Sequence, residues 1–434
     1  VIEGNSITKE RIILRELTIN AGDTIDTSSL AKETMRSREN LLNTSLFNYV
    51  TINIIQGSTP IVNLIIIVEE RWYTWPSIIL KYEDRNFSSW LKARDLSKSK
   101  YGFAIDRFNC FGRKENFKIA VSSGYAKQFF VSYKNIAIDK DRKHFIGADM
   151  EISRHDEIIY RTKDNKPEMI SNHFQIVFER KKYTLNYLYR PFIIDFHNFY
   201  FNYFEYNISD TINKLNPDYL VRGKTSLNCI TFDYVFTHDT RDIKAYPLHG
   251  SYFEFLLGQT VSVPFSVDPF YSTTFTANFY KYAEIKKRVF YAGGLSLKIS
   301  NANDYSYYYS KSLGYIYNLH GFEYNTIDGQ HFLLFKNLIK FTLLSSRIAH
   351  LKFIPLRKFN KIHFSSYLNI FSDCGYVFDK QASPDNTYAN KMLYSVGTGL
   401  DLVTYYDRTI RFEYSVNGFG IGGLYVHLTA PINK

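Results

Sequence analysis

From about residue 77 onward the chain repeats one pattern. Short segments alternate apolar and polar residues, and turn-forming residues separate them. In 199–203, Phe199, Phe201 and Tyr203 share one face, with Tyr200 and Asn202 on the other. In 409–415, Ile410, Phe412 and Tyr414 oppose Arg411, Glu413 and Ser415, and Phe117, Ile119 and Val121 alternate with Lys118, Ala120 and Ser122. A period of two predicts strands with one apolar and one wet face. Sixteen such segments fall near 77–83, 100–110, 115–123, 126–134, 142–153, 171–185, 197–208, 226–238, 250–259, 274–283, 287–299, 332–344, 363–378, 392–406, 409–417 and 423–429. Strands with a lipid face and a polar lumen face define an all-β membrane protein, a 16-stranded antiparallel transmembrane β-barrel over 72–434. An even count leaves both barrel ends on one side, beside the N-terminal unit.

Residues 1–71 follow a different rhythm. Ile2-Glu3-Gly4-Asn5 reads as a strand end and turn. Residues 8–17 place Ile12, Ile13 and Leu17 on one helical face, and Ala21-Gly22-Asp23 ends that helix. Asp26-Thr27 offers an N-cap for a second helix to about Asn43. Residues 49–55 and 61–69 read as strands joined at Gln56-Gly57-Ser58. The order β-α-α-β-β predicts a small α+β domain.

Composition sharpens this picture. Aromatics make up 17% of the chain, with 36 Tyr and 36 Phe against 3 Trp. Rings with a polar tip suit the two lipid–water interfaces of a barrel. The longest apolar stretch, 61–68, is broken by Asn63 and is far short of the roughly 20 residues of a spanning helix. No signal peptide is visible, as expected of a mature or trimmed form. The net charge of +11 is uneven. Residues 1–71 carry 7 Lys+Arg against 9 Asp+Glu, and the remainder 46 against 33. A basic barrel suits anionic lipid headgroups, and no motif points to nucleic acid. Cys110, Cys229 and Cys374 are too far apart for a metal site or a disulfide framework.

The N-terminal order resembles a POTRA domain of the BamA/TamA-type outer-membrane superfamily. Gly4-Asn5, the helix Arg11-Ile12-Ile13-Leu14-Arg15-Glu16-Leu17, Gly22-Asp23 and Asn43-Thr44-Ser45-Leu46-Phe47 carry that likeness. In the barrel, Asp239-Thr240-Arg241-Asp242 with Pro247-Leu248-His249-Gly250 is similar to the family's periplasmic turn between the eighth and ninth strands. Leu319-His320-Gly321-Phe322 stands where the family places a Val-Arg-Gly-Phe/Tyr motif in its sixth extracellular loop. Phe371-Ser372-Asp373-Cys374-Gly375 resembles the Phe-x-Asp-x-Gly of the thirteenth strand. Gly423, Val426 and Leu428 fit the C-terminal barrel signal. Glu323-Tyr324, Asp328-Gly329-Gln330-His331 and Tyr405-Tyr406-Asp407 are similar to single-POTRA members from Bacteroidota.

Two departures from the family pattern stand out. His320 replaces the Arg that, in the family, enters the lumen and pairs with the strand-thirteen Asp. Asp373 shares the polar face of Tyr367 and Asn369, so a His320–Asp373 hydrogen bond is the expected substitute, single-toothed rather than bidentate. The family ends on an aromatic residue, whereas Leu428 stands there and residues 429–434 follow. Leu220-Val221-Arg222-Gly223-Lys224 also contains Val-Arg-Gly, but it lies between the seventh and eighth strands and reads as an ordinary extracellular turn.

Nothing reads as an enzyme. No Ser sits in a nucleophile elbow, and no His/Cys cluster has zinc spacing. His238 and Asp239 are adjacent on a strand and face opposite ways. Arg411 and Glu413 face the lumen together and read as a wall-bracing ion-pair network. No catalytic residue, metal or cofactor is expected. Gly418, Gly420, Gly422 and Gly423 crowd the last strand. They predict either a turn or a weak seam with the first strand. The resemblance implies insertion or translocation of polypeptides through that seam at the bacterial outer membrane, with the POTRA domain in the periplasm. Its implied partners are outer-membrane lipid and lipopolysaccharide, unfolded outer-membrane or secreted clients, and accessory outer-membrane or periplasmic proteins. A transport pore or structural subunit without insertase activity is the alternative.

Overall fold

In the N-terminal unit, short apolar elements close on one another. β1 (Ile2–Glu3), α1 (Glu10–Leu14), α2 (Thr27–Asn43), β2 (Phe47–Gln56) and β3 (Val62–Glu70) follow in that order. The sheet runs β1-β3-β2, with β1 parallel and β2 antiparallel to β3. Ile12, Ile13 and Leu41 are buried against Phe47, Val50, Ile66, Val68 and Tyr73. Helix α1 is shorter than its periodicity predicts, and it starts late because the Glu70 carboxylate holds the preceding residues. It accepts from Ser6 Oγ and from the Thr8 N–H, each at 2.7 Å. Asp26 occupies the N-cap of α2, but its side chain makes no capping hydrogen bond.

The computed structural model describes every residue except 57–59, 83–98, 125, 172–174, 264–268, 351–360, 405–407 and 428–434. Leu428, residues 429–434 and Tyr405-Tyr406-Asp407 therefore lie outside the described residues. No described helix is long and apolar enough to cross a membrane.

The alternating segments become β4 (Thr74–Tyr82), β5 (Ser99–Cys110), β6 (Glu115–Gly124), β7 (Ala126–Ala137), β8 (His144–His155), the hairpin β9 (Glu157–Lys163) and β10 (Lys166–Ser171), then β11 (Phe178–Tyr189) and β12 (Asp195–Ile208). A short helix α3 (Asp210–Leu215) precedes β13 (Ser226–Asp239), β14 (Gly250–Val263), β15 (Tyr271–Lys286) and β16 (Val289–Ala302). The small pair β17 (Lys311–Leu313) and β18 (Ile327–Asp328) precedes β19 (His331–His350), β20 (Lys361–Phe378), β21 (Met392–Thr404), β22 (Arg408–Asn417) and β23 (Gly422–His427).

Sixteen of these strands form one antiparallel sheet, in which each pairs with its chain neighbour and the pairs β9–β10 and β17–β18 stand apart. This is the strand number the alternation predicts. The edges of the sheet are β4 and β23, and among the described residues no ladder joins them. The sixth sheet strand starts at Phe178, later than the 171–185 segment predicts. That stretch is shared with β10, whose hairpin turns at Asp164 (φ 48°) and Asn165 (φ 56°).

The two faces separate as the pattern requires. Leu185, Phe201, Phe232, Phe279, Leu333, Phe412 and Tyr414 are exposed on the outer face. Asn202, Asn369, Asp373, Asp401, Arg411 and Glu413 are buried on the inner face. Apolar clusters lie toward the ends. At the end away from the N-terminal unit, Tyr219, Leu220 and Val221 are buried with Phe178, Ile212 and Tyr307. The Leu220–Lys224 stretch is a turn, with Arg222, Gly223 and Lys224 exposed, whose first two residues are packed into this cluster.

Candidate functional site

The connection between β16 and β19, residues 303–330, folds back against the inner wall. Its Leu313, Leu319, Phe322 and Ile327 are buried against Phe332, Leu334, Val377 and Leu393. Gly375, two residues beyond Asp373, leaves the room this needs: a Cβ there would lie 3.3 Å from Leu313 and 3.6 Å from Leu319.

At the tip of this loop, Gly321 has φ +79°, and its carbonyl accepts from Asn417 Nδ2 at 2.9 Å. A Cβ at Gly321 would sit 3.2 Å from the Asn417 side chain, so this turn favours glycine on both counts. The turn aims His320 at the wall. His320 Nδ1 lies 2.7 Å from Asp373 Oδ2, and the His320 N–H donates to the same oxygen at 3.3 Å. The ring tilts over Phe371 at 4.3 Å, and Lys336 Nζ stands 4.0 Å from Asp373. His320 Nε2 is 3.7 Å from Glu413 Oε2. One imidazole thus spans two carboxylates of different strands.

Arg411 and Glu413 share the inner face, but each has a partner of its own. Arg411 forks onto Asp401, its ladder partner on β21, with Nη2 donating at 2.6 Å and Nε also donating. Glu413 instead faces His427 Nε2 at 3.3 Å. Asp401 also accepts from Tyr246 Oη at 2.7 Å.

Tyr246 belongs to the turn between β13 and β14, where the second predicted motif lies. Arg241 Nε and Nη2 donate to the two Asp239 oxygens at 2.9 and 3.0 Å. Asp242 Oδ1 accepts from the Ile243 and Leu248 N–H groups at 2.8 and 3.1 Å. Gly250 (φ +98°) closes the turn, and a Cβ there would meet the Thr240 carbonyl at 2.3 Å. Lys340 Nζ donates to the Pro247 carbonyl at 3.4 Å and sits 3.9 Å above the Tyr246 ring. This turn receives the N-terminal unit: Asn43 Nδ2 donates to the Asp242 carbonyl at 2.8 Å, and the Lys244 N–H donates back to Asn43 Oδ1 at 2.9 Å.

Gly423 and Val426 lie in β23, six residues long, with Val426 opposite Phe412. Of the four clustered glycines, Gly420 (φ +76°) is in the β22–β23 turn, and Gly422 and Gly423 begin β23. Three residues important to the geometry escape sequence reasoning: Tyr246, Asp401 and Asn165. Asn165 has the clearest sequence signal, since Asp-Asn is a two-residue hairpin turn of the type that accepts positive φ at both positions. It ties the β9–β10 tip to two other loops, accepting from the Thr326 N–H at 2.9 Å and donating to the Asp385 carbonyl at 2.8 Å.

A 16-stranded sheet with an outward apolar face, an inward-folded loop and an N-terminal α+β unit on its turns defines a membrane barrel with an attached accessory domain. The model of the Omp85 superfamily domain matches residues 109–417, and that of the surface antigen variable number repeat, the POTRA unit, matches residues 1–71. The chain belongs to the Omp85 superfamily, the BamA/TamA-type outer-membrane β-barrel proteins. Its fold is similar to that of BamA from Haemophilus ducreyi lacking POTRA domains 1–3. The TM-score is 0.54 at 13% identity, covering 98% of this chain and 82% of that one. It is also similar to CdiB from Escherichia coli, with a TM-score of 0.56 at 13% identity, covering 98% and 74%. A search of curated proteins finds no match.

Proposed function

We propose that this chain sits in the bacterial outer membrane with its N-terminal domain in the periplasm, and that it inserts or translocates polypeptides there. The observation that carries the reading is the seam. Strand β23 has six residues and pairs with β22, whereas β4 pairs with β5 and carries Pro76 within its run. An edge strand with unmet backbone groups templates another strand. A client strand adds to such an edge, and the energy comes from binding and folding, so no bond-making chemistry or nucleotide is needed. The outer edge of β2, with Ile54 and Ile55 exposed, offers a second place for an extended client. Outer-membrane lipid and lipopolysaccharide surround the wall, and accessory proteins are further partners in this reading.

A second reading, a transport pore or structural subunit that has lost insertase activity, is favoured by His320. One imidazole nitrogen meets Asp373 where the family's Arg gives two donors. Quantitative outer-membrane proteomics after depletion separates the two. Selective loss of one or a few barrel or surface proteins is the expected result. An unchanged proteome overturns insertion and leaves the structural reading.

A further inference from the structure

We propose that Glu323, Glu413 and His427 form a binding site for one divalent transition-metal ion of the zinc class, which clasps the inward loop to the last two strands. The three residues come from three elements. Glu323 lies two positions past Gly321 in the loop. Glu413 is in the middle of β22. His427 is the last residue of β23, opposite Arg411 in the ladder and diagonal to Glu413 on the inner face.

Their ligand atoms converge. His427 Nε2 is 3.3 Å from Glu413 Oε1 and 4.0 Å from Glu323 Oε1, and one atom from each residue lies within 4.8 Å of the others. Metal–ligand bonds of roughly 2.0–2.2 Å at tetrahedral angles hold ligand atoms about 3.3–3.6 Å apart. The His427–Glu413 spacing already matches this, and small side-chain rotations bring Glu323 in.

Charge makes the same demand. Glu323 and Glu413 are both buried and face one point. Among the described residues, neither Glu413 oxygen has a well-aligned hydrogen-bond donor, and His427 Nε2 meets Glu413 only as a close contact at 3.3 Å. The cations nearby are engaged elsewhere: Arg411 with Asp401, Lys336 with Asp373, and His320 chiefly with Asp373. His320 Nε2 is 3.7 Å from the other Glu413 oxygen, Oε2. Two buried carboxylates beside one another are costly without a counter-ion. A divalent ion held by two carboxylates and a neutral imidazole cancels both charges. One nitrogen and two oxygens, without thiolate, suit zinc, and three protein ligands are too few for calcium's six to eight oxygens.

The test uses the full chain, folded in detergent, stripped with EDTA and titrated with zinc chloride. Heat-modifiable gel mobility checks that each variant is folded. Calorimetry is expected to give one equivalent per chain with a rise in Tm, and cobalt substitution a visible absorption band of a four-coordinate site. In E323Q and in H427Q, whose side chain is only partly buried, affinity falls at least tenfold. Both variants keep an inner-face hydrogen-bonding group, so the outcome does not hang on the more buried Glu413. Absence of saturable binding to the wild type overturns the proposal. So does binding that E323Q and H427Q leave unchanged.

Discussion

Arg190 holds both oxygens of Glu16, at 2.6 and 2.7 Å, across 174 residues of sequence. Glu16 follows α1, and Arg190 follows β11, so this pair joins the POTRA unit to the barrel. Both side chains are buried, and Lys114 Nζ stands 3.5 Å from the same carboxylate. Removing one member of a buried pair costs about 3–5 kcal/mol, because the other charge is left uncompensated. E16Q is therefore expected to loosen the domain at this contact. Limited proteolysis in the 71–73 link should be faster than in the wild type, while gel mobility shows the barrel intact. An unchanged cleavage rate refutes this role for the pair.

Acid should reproduce that effect. Burial alone raises a carboxyl's pKa, but Lys114 and Arg190 outweigh it and hold Glu16 well below the usual carboxylate range. A depressed folded value means that the stabilisation is complete above the unfolded value, about 4.3. It is lost progressively as pH falls from there toward the folded value. Proteolysis with an acid-active protease should show wild type and E16Q far apart at pH 6 and converging in increasingly acid buffer. A constant gap across that range would contradict the linkage.

The Asp373 carboxylate anchors the loop through His320 and sits beside Lys336. D373A should destabilise the loop by about 3 kcal/mol or more, read as a lower Tm and as protease access to residues 303–330. H320A and D373A should be non-additive, since they remove the same contact. Full additivity in the double variant would mean that other contacts hold the loop.

Two glycines of similar backbone separate strain from crowding. Gly321 (φ +79°) faces Asn417 and Ser395, whereas Gly223 (φ +67°) has nothing within 4 Å of a Cβ among the described residues. Alanine at either position bears a left-handed penalty of roughly 1–2 kcal/mol. Only G321A adds the contact cost and disturbs the Asn417 hydrogen bond. Denaturation midpoints should therefore fall further for G321A than for G223A, and equal shifts would show that the loop tip yields freely.

R411K keeps the charge on β22 but replaces a fork by a point. It gives up one of two charge-assisted hydrogen bonds to Asp401, worth about 1.5–3 kcal/mol. A matching fall in Tm is expected, with Y246F smaller because it removes only the Asp401 contact from the turn. A neutral R411K would mean that the fork adds nothing to the wall.

The sixteen strands were legible because alternation needs only local sequence, as Ile410-Arg411-Phe412-Glu413-Tyr414 illustrates. Which face a residue takes follows from period two, so the inward placement of Arg411, Glu413 and Asp373 was readable. Pairing was not. Arg411 meets Asp401 only through the β21–β22 register, and its motif neighbour Glu413 finds His427 instead. The Glu323, Glu413 and His427 cluster has no spacing a linear motif could capture, because it exists only once the loop has folded inward. The second helix ends at Asn43 as the sequence indicates, whereas the start of the first was missed for a related reason. Periodicity carries 8–17 as one helix, but the distant Glu70 side chain fixes its first residues outside it.

Among the described residues, hydrogen bonds join the POTRA unit to three separate turns. Lys9 N–H bonds the Gly112 carbonyl between β5 and β6, Glu16 takes Arg190 between β11 and β12, and Asn43 grips the turn between β13 and β14. A body seated on three legs has no axis left about which to swing. A pull on the free rim of its small sheet is therefore borne as shear by three hairpins of the wall, and the domain acts as a handle rather than as a pendulum.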